Sequence, residues 1–264
     1  MRAKKSLGQN FLRDDGVVKK IVDALDLHDN ELVIEIGPGQ GALTVELLKK
    51  AGKVIAIEFD RDLIEALRVQ FSSFKDFELI NEDALSVDFA AALRDRDGNQ
   101  KIKLVANLPY NISTPILQRL IAQREIFSAI VLMFQREVVE RITARPGTKN
   151  RGFLSVMVED AFHAEYLFDV APKAFQPVPK VWSAVVRLTP KVAGSSDRVL
   201  FRKMVSVSFA QRRKTILNNL KPVFENAQQI LSLSKIDPKR RAETLTLDEW
   251  NILVNHVAKI ETSL

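Results

Sequence analysis

Apolar residues in this chain follow two different rhythms. Short runs in which nearly every position is apolar occur at Leu32–Ile36, Val54–Glu58, Phe77–Asn81, Ile102–Ala106 and Ala129–Phe134. Between them lie stretches whose apolar residues return every three or four positions: Asp15–Leu25, Leu43–Lys50, Asp62–Phe71, Pro115–Ala122 and Gln135–Ala144. Continuous runs of this length read as strands covered on both faces, and the longer periodic stretches read as helices. Leu43, Leu47 and Leu48, for example, share one helical face and pack on the sheet. The alternation predicts an α/β fold with a parallel sheet flanked by helices, closed by a final strand pair around Ala161–Asp169 and Ser183–Thr189.

The pattern stops at Pro190–Asp197, a segment (PKVAGSSD) poor in large apolar residues and rich in turn formers. A boundary there gives domains 1–190 and 198–264. Beyond it, Leu200–Leu220, Val223–Leu231 and Leu247–Val257 read as helices of a small all-helical domain.

Composition narrows the function. No apolar run approaches the ~18 residues of a membrane span. The basic start, Met1 to Lys5, is not followed by an apolar signal core, so secretion is not expected. The absence of cysteine excludes disulfides, thiolate zinc sites and a cysteine nucleophile, and suits a reducing cytoplasm. His28, His163 and His256 lie far apart without ligand-like spacing, so no metal is expected.

Charge is unevenly divided. The net charge is +6, and residues 191–264 carry all of it, with 13 basic and 7 acidic residues. Seven basic residues fall between Arg198 and Phe224 (Arg198, Arg202, Lys203, Arg212, Arg213, Lys214 and Lys221) with no acidic one among them. A one-sign stretch suits a polyanion such as nucleic acid; the alternative is a solvated helix face.

The first strand runs into Gly37-Pro38-Gly39-Gln40-Gly41, a strand-to-helix turn that lets backbone approach a ligand closely. Three details favour S-adenosylmethionine over NAD. The spacing is G-x-G-x-G, Pro38 removes an N–H that a pyrophosphate would use, and Glu35 suits a cationic amino acid and sulfonium. Glu58 ends the second strand, 17 residues after Gly41, where a ribose-hydroxyl acceptor belongs. Asp83, after the third strand, is a candidate acceptor for the cofactor adenine. A surface acid and a helix N-cap are the respective alternatives.

The fourth strand is closed by Asn107-Leu108-Pro109-Tyr110. An adenine amino nitrogen is a poor nucleophile, because its lone pair is delocalised into the ring. Methylating it requires acceptors for the amino hydrogens and a flat face for the base. Asn107 offers a side-chain carbonyl, Leu108 a backbone one, and Tyr110 a stacking face, while Pro109 adds no competing donor. Phe175 is the candidate for the second face of the base, with core packing as its alternative.

With these residues assembled, the chain resembles the ribosomal RNA adenine dimethyltransferases, and specifically their bacterial small-subunit branch. The resemblance runs nearly end to end. It is carried by Leu7 to Leu12 (LGQNFL), Glu35 to Thr44 (EIGPGQGALT), Val54 to Asp60, Asp83-Ala84-Leu85, Asn107 to Pro115 (NLPYNISTP), Gln135 to Gly152, Phe168 to Ser183, Arg213-Lys214-Thr215 and Arg241 to Leu245. It implies a Rossmann-like methyltransferase domain with a mostly parallel seven-stranded sheet, plus a small helical C-terminal domain that binds RNA. It also implies dimethylation of N6 on two adjacent adenosines near the 3′ end of small-subunit rRNA, by a cytoplasmic monomer acting on an immature subunit. Carried over residue by residue, the cofactor contacts fall on Asn10, Leu12, Gly37, Glu58, Asp83 and Asn107. Arg212, Arg213 and Lys214 are expected to meet RNA phosphates, or one of them to brace a domain. The chain departs from the family's pattern at Glu82, Arg151 and Phe153, and the latter two are expected to alter how their loop touches RNA. A large-subunit enzyme of the erythromycin-resistance type and a catalytically idle assembly or transcription factor are the competing readings. The long Asn111 to Pro115 extension and Arg213-Lys214-Thr215 argue against the first, and the intact Glu58, Asp83 and Asn107 to Tyr110 against the second.

Overall fold

The computed structural model describes residue 4 and residues 8–28, 30–93, 101–108, 112–192 and 197–262. Along the chain run β1 (Phe11–Leu12), α1 (Asp15–Asp23), β2 (Leu32–Ile36), α2 (Ala42–Leu47), β3 (Lys53–Glu58), α3 (Arg61–Gln70), β4 (Phe77–Asn81) and β5 (Ile102–Asn107). Then follow α4 (Ser113–Ala122), β6 (Phe127–Gln135), α5 (Arg136–Ile142), α6 (Phe153–Ala161), β7 (Phe162–Val170), β8 (Phe175–Gln176) and β9 (Ser183–Pro190). The last elements are α7 (Arg198–Ser208), α8 (Ile216–Leu220), α9 (Ala227–Leu233) and α10 (Leu247–Thr262).

Seven strands form one sheet in the order β4-β3-β2-β5-β6-β9-β7. The first five are mutually parallel, and β9 runs antiparallel to β6. This is the Rossmann-like arrangement that the resemblance implies, with strand order reversing between β2 and β5. Ligands of such sheets bind outside the carboxyl ends of the strands at that switch point. The central strands are buried throughout, which is why they are continuously apolar. Two charged residues interrupt them: Glu35 in β2, a fully buried carboxylate, and Lys103 in β5, paired with Glu31 at 2.7 Å.

Packing divides the chain into two units: Met1–Val139 with His163–Pro190, and Glu140–Phe162 with Lys191–Leu264. The apolar pattern places residues 140–162 in the first domain; they group with the C-terminal helices instead. α6, which that pattern does not single out, belongs to this segment. It is almost wholly buried and so lacks the one-sided stripe that marks a surface helix. The expected helix 200–220 is broken. Asn219 Nδ2 donates to the carbonyls of Ser208 and Gln211, and Thr215 caps α8 by accepting from the Asn218 N–H. The α7 carbonyls therefore have partners without the helix continuing. The expected helix 223–231 begins later, at Ala227.

Candidate active site

β1 and β8 are too short for any periodicity to reveal, yet they shape the site. They pair antiparallel, Phe11 opposite Gln176 and Leu12 opposite Phe175, and the Arg13 N–H donates to the Ala174 carbonyl at 2.8 Å. The segment that composition alone would class as a basic tail is thereby laid against the sheet. Lys4 extends the attachment with a 2.6 Å ion pair to Asp60, and Gln9 Nε2 donates to the same carboxylate at 2.7 Å.

Residues 8–12, the glycine loop and the ends of β3 and β5 together enclose a cavity of about 240 Å³. Its lining includes all six residues expected at the cofactor, Asn10, Leu12, Gly37, Glu58, Asp83 and Asn107, and also Leu108 and Phe175. Pro109 and Tyr110 lie outside the described residues. The glycine loop is tight because Gly39, at φ 60°, packs against Phe11: a Cβ here would lie 3.0 Å from the ring. Gly41 (φ 81°) opens α2, and a Cβ there would meet the Phe71 ring at 2.8 Å.

The electrostatics are one-sided. Glu35, Glu58 and Asp83 face the cavity, and no Lys, Arg or His among the described residues lines it. Glu58 is locked in place: Oε1 accepts from the N–H groups of Phe59 and Asp60, both at 2.9 Å, and Oε2 from Gly39 at 3.3 Å. Burial holds its carboxyl above the usual range, against the pull of these N–H groups. Glu35 accepts from Thr44 Oγ1 at 2.6 Å through Oε2, while its buried Oε1 meets no partner among the described residues. Burial pushes its pKa from the ordinary 4.5 up to about 7, with the Glu58 charge adding to the effect. An orphaned, buried carboxylate oxygen in a cavity whose charged lining residues are all acidic fits a cationic ligand, and a diphosphate would find no counter-charge among the described residues there. Asp83 lines the cavity, while its Oδ1 accepts from the Leu85 N–H at 2.9 Å and closes a turn, with no helix starting there.

Phe175 is 3% exposed and belongs to the hydrophobic core as well as to the cavity wall. Phe59 was missed by sequence reasoning. It lines the cavity beside Glu58 and remains 60% exposed, a flat apolar face at the cavity's edge. The sequence held one cue, an aromatic residue placed just past the acid that ends its strand.

The basic stretch lies in the other unit, with Arg198, Arg202 and Lys203 on α7 and Arg212, Arg213 and Lys214 in the turn after it. Arg212 donates to the carbonyls of Lys149 (2.6 Å) and Arg151 (3.2 Å). Arg202 lies over the Phe153 ring and Lys203 over Phe224. Arg213 and Lys214 are exposed, and their side chains meet no partner among the described residues. The expectation that Arg151 alters an RNA-touching loop is not met by its placement. It is fully buried, bound to the Ala144 and Leu245 carbonyls and, at 2.6 Å, to Glu159.

The family described as Ribosomal RNA adenine dimethylase matches residues 1–259 of this sequence. A protein of Chromohalobacter salexigens named Ribosomal RNA small subunit methyltransferase A is 45% identical over 262 residues, which is 98% of this chain and 92% of that protein. A dimethyladenosine transferase of Plasmodium falciparum superposes with a TM-score of 0.79 at 26% identity, over 94% of this chain and 98% of the other. The 23S rRNA methyltransferase ErmE superposes with a TM-score of 0.72 at 25% identity, over 94% and 100% of the two chains.

Proposed function

This chain belongs to the ribosomal RNA adenine dimethylases, and we propose that it dimethylates N6 of two adjacent adenosines near the 3′ end of small-subunit rRNA. In this reading it acts as a monomer in the cytoplasm on an immature subunit. The observation that carries the proposal is that Asn107 and Leu108 line a cavity at the sheet's switch point whose charged lining residues are all acidic. The small-subunit assignment is supported by 45% identity to a small-subunit enzyme against 25% to a large-subunit one.

S-adenosylmethionine, when bound, supplies a methyl group on a positively charged sulfur, already activated for transfer. The chain's own work is placement and tuning. The orphaned oxygen of Glu35 suits the cofactor's ammonium group, and Glu58, held by three backbone N–H groups, suits the ribose hydroxyls. Phe59 offers its exposed face to the adenine of the cofactor, and Asp83 an acceptor to that adenine's edge. At the target base, the Asn107 side-chain oxygen and the Leu108 carbonyl accept the N6 hydrogens. Their pull raises electron density on nitrogen as it becomes tetrahedral. Tyr110 and Phe175 hold the extruded base by its faces, and such stacking is worth roughly 1–3 kcal/mol per base. The alkylated amino group is strongly acidic, so its proton passes to water or a nearby acceptor without a dedicated base. The monomethyl product then turns its remaining hydrogen to the same acceptors. Arg213 and Lys214 meet RNA phosphates in this reading, which their exposure in the turn after α7 supports.

The test is transfer of labelled methyl to immature small subunits from cells lacking the activity, with the modified nucleotides mapped. Two adjacent dimethyladenosines near the 3′ end are expected. Label confined to large-subunit RNA, or none, would reject the reading.

A further inference from the structure

Between β8 and β9 the chain crosses the carboxyl edge of the sheet as Pro177-Val178-Pro179-Lys180-Val181-Trp182, and none of the roles above uses it. Its apolar side chains are turned outward: Val178 is 65% exposed, Val181 42% and Trp182 45%. The preceding residues 171–176 add Lys173, and residues 171–182 contain no acidic side chain. The Arg136 guanidinium lies over the Trp182 ring at 6.0 Å, and the Arg136 N–H fixes the Trp182 carbonyl at 2.9 Å. A large indole on the surface, with a cation over its ring and a lysine two residues before it, is the combination that holds a nucleobase with its phosphate.

Register places this indole relative to the reacting centre. On β6, Met133 stands opposite Asn107 and Gln135 opposite Ser183, the residue after Trp182. Trp182 therefore sits two strands across from Asn107 and three residues further along toward the same carboxyl edge, roughly 14 Å away at ordinary strand spacing and rise. Resting on the adenosine-methylation reading, we propose that Trp182 is a second stacking platform. It would take a base of the same single strand near the adenosine held at Asn107, with Lys180 on its phosphate. It fixes which nucleotide is presented and does not touch the reacting atoms.

The experiment compares Trp182→Ala, Trp182→Phe and the parental protein on immature small subunits. Loss of one stacked base is expected to raise KM roughly five- to a hundred-fold with kcat less affected, and Phe should restore most of the loss. S-adenosylmethionine affinity and Tm should not move. In parallel, titration with single-stranded oligoadenylate should quench Trp182 emission. The other tryptophan, Trp250, is fully buried, so the quenching should vanish in Trp182→Phe. A parental KM in Trp182→Ala, or no quenching in the parental protein, overturns the platform while leaving the methylation reading standing. A parental protein that transfers no methyl to the subunits overturns both.

Discussion

The cavity of the sheet unit and the basic turn of the helical unit use charge in opposite ways. In the cavity, Glu35 and Glu58 are buried, held by Thr44 or by backbone N–H groups, and shifted in pKa by their surroundings. At the turn, Arg213 and Lys214 stand in solvent. A buried charge is weakly screened and fixed in position, so it acts on one atom of one ligand. An exposed charge is screened within about 10 Å at 0.1 M salt and acts by number. The cavity should therefore fail at single substitutions, whereas the turn should lose function in graded, salt-dependent steps.

The sharpest way to break the contrast is Asn107→Ala. We expect methyl transfer to fall ~10²–10³-fold with folding and RNA binding kept, because one preorganised polar group is removed at the reacting nitrogen. Near-normal single-turnover rates in the folded variant would take Asn107 out of the chemistry. Glu58→Ala comes next. Loss of charged hydrogen bonds of ~1.5–3 kcal/mol should weaken S-adenosylmethionine ~10–100-fold by calorimetry, without loss of the fold. Parental cofactor affinity in this variant would dissociate the acid from the ribose.

Glu35 supplies a pH test. Its native pKa of about 7 exceeds the ordinary 4.5, so the folded protein binds more protons than the unfolded chain between those values. The stability this group contributes is fully present below about pH 4.5 and is lost as pH rises through about 7. The Tm of the ligand-free protein should fall across that window, whereas S-adenosylmethionine affinity should rise as the carboxylate ionises opposite the cofactor's ammonium. Glu35→Gln should flatten both trends. A pH-independent affinity in the parental protein would detach Glu35 from the ligand.

The smallest effects belong to the turn. Arg213→Ala with Lys214→Ala should reduce the log–log salt slope of subunit binding by about 0.9 for each phosphate no longer neutralised, with cofactor affinity unchanged. Arg212→Ala should instead lower Tm, since its guanidinium binds two carbonyls of the 149–151 loop. Unchanged melting would return Arg212 to the phosphate-binding group.

Much of this contrast was legible in the sequence. The parallel strands follow from continuous apolar runs, because a sheet covered on both faces leaves no polar side to blur them. Glu58, Asp83 and Asn107 were legible because each sits at or just past the carboxyl end of a strand, a position the runs themselves mark, whereas Asn10 and Leu12 follow only from the family resemblance. What escaped depends on long-range packing. Residues 140–162 carry a helix buried on most sides, which has no amphipathic stripe. The break after Ser208 relies on Asn219 reaching back 11 residues to a carbonyl, an attachment no local window contains. Arg151 reads as a surface cation because nothing in its sequence neighbourhood announces Glu159 and the Leu245 carbonyl. Phe59 had the composition of core and the position of a ligand wall, and only the folded chain distinguishes the two.

The pairing of β1 with β8 also bears on the order in which the protein is made. Leu12 leaves the ribosome 163 residues ahead of its partner Phe175. At roughly 5–20 residues per second, it waits about 8–33 s before that partner exists. Through that interval the strands bearing the glycine loop, Glu58 and Asn107 can already associate, but the wall formed by residues 8–12 has nothing to pair with. The nascent chain can thus own a folded sheet and still lack a closed binding site, which is completed only when the stretch around residue 175 emerges and the earliest strand is captured.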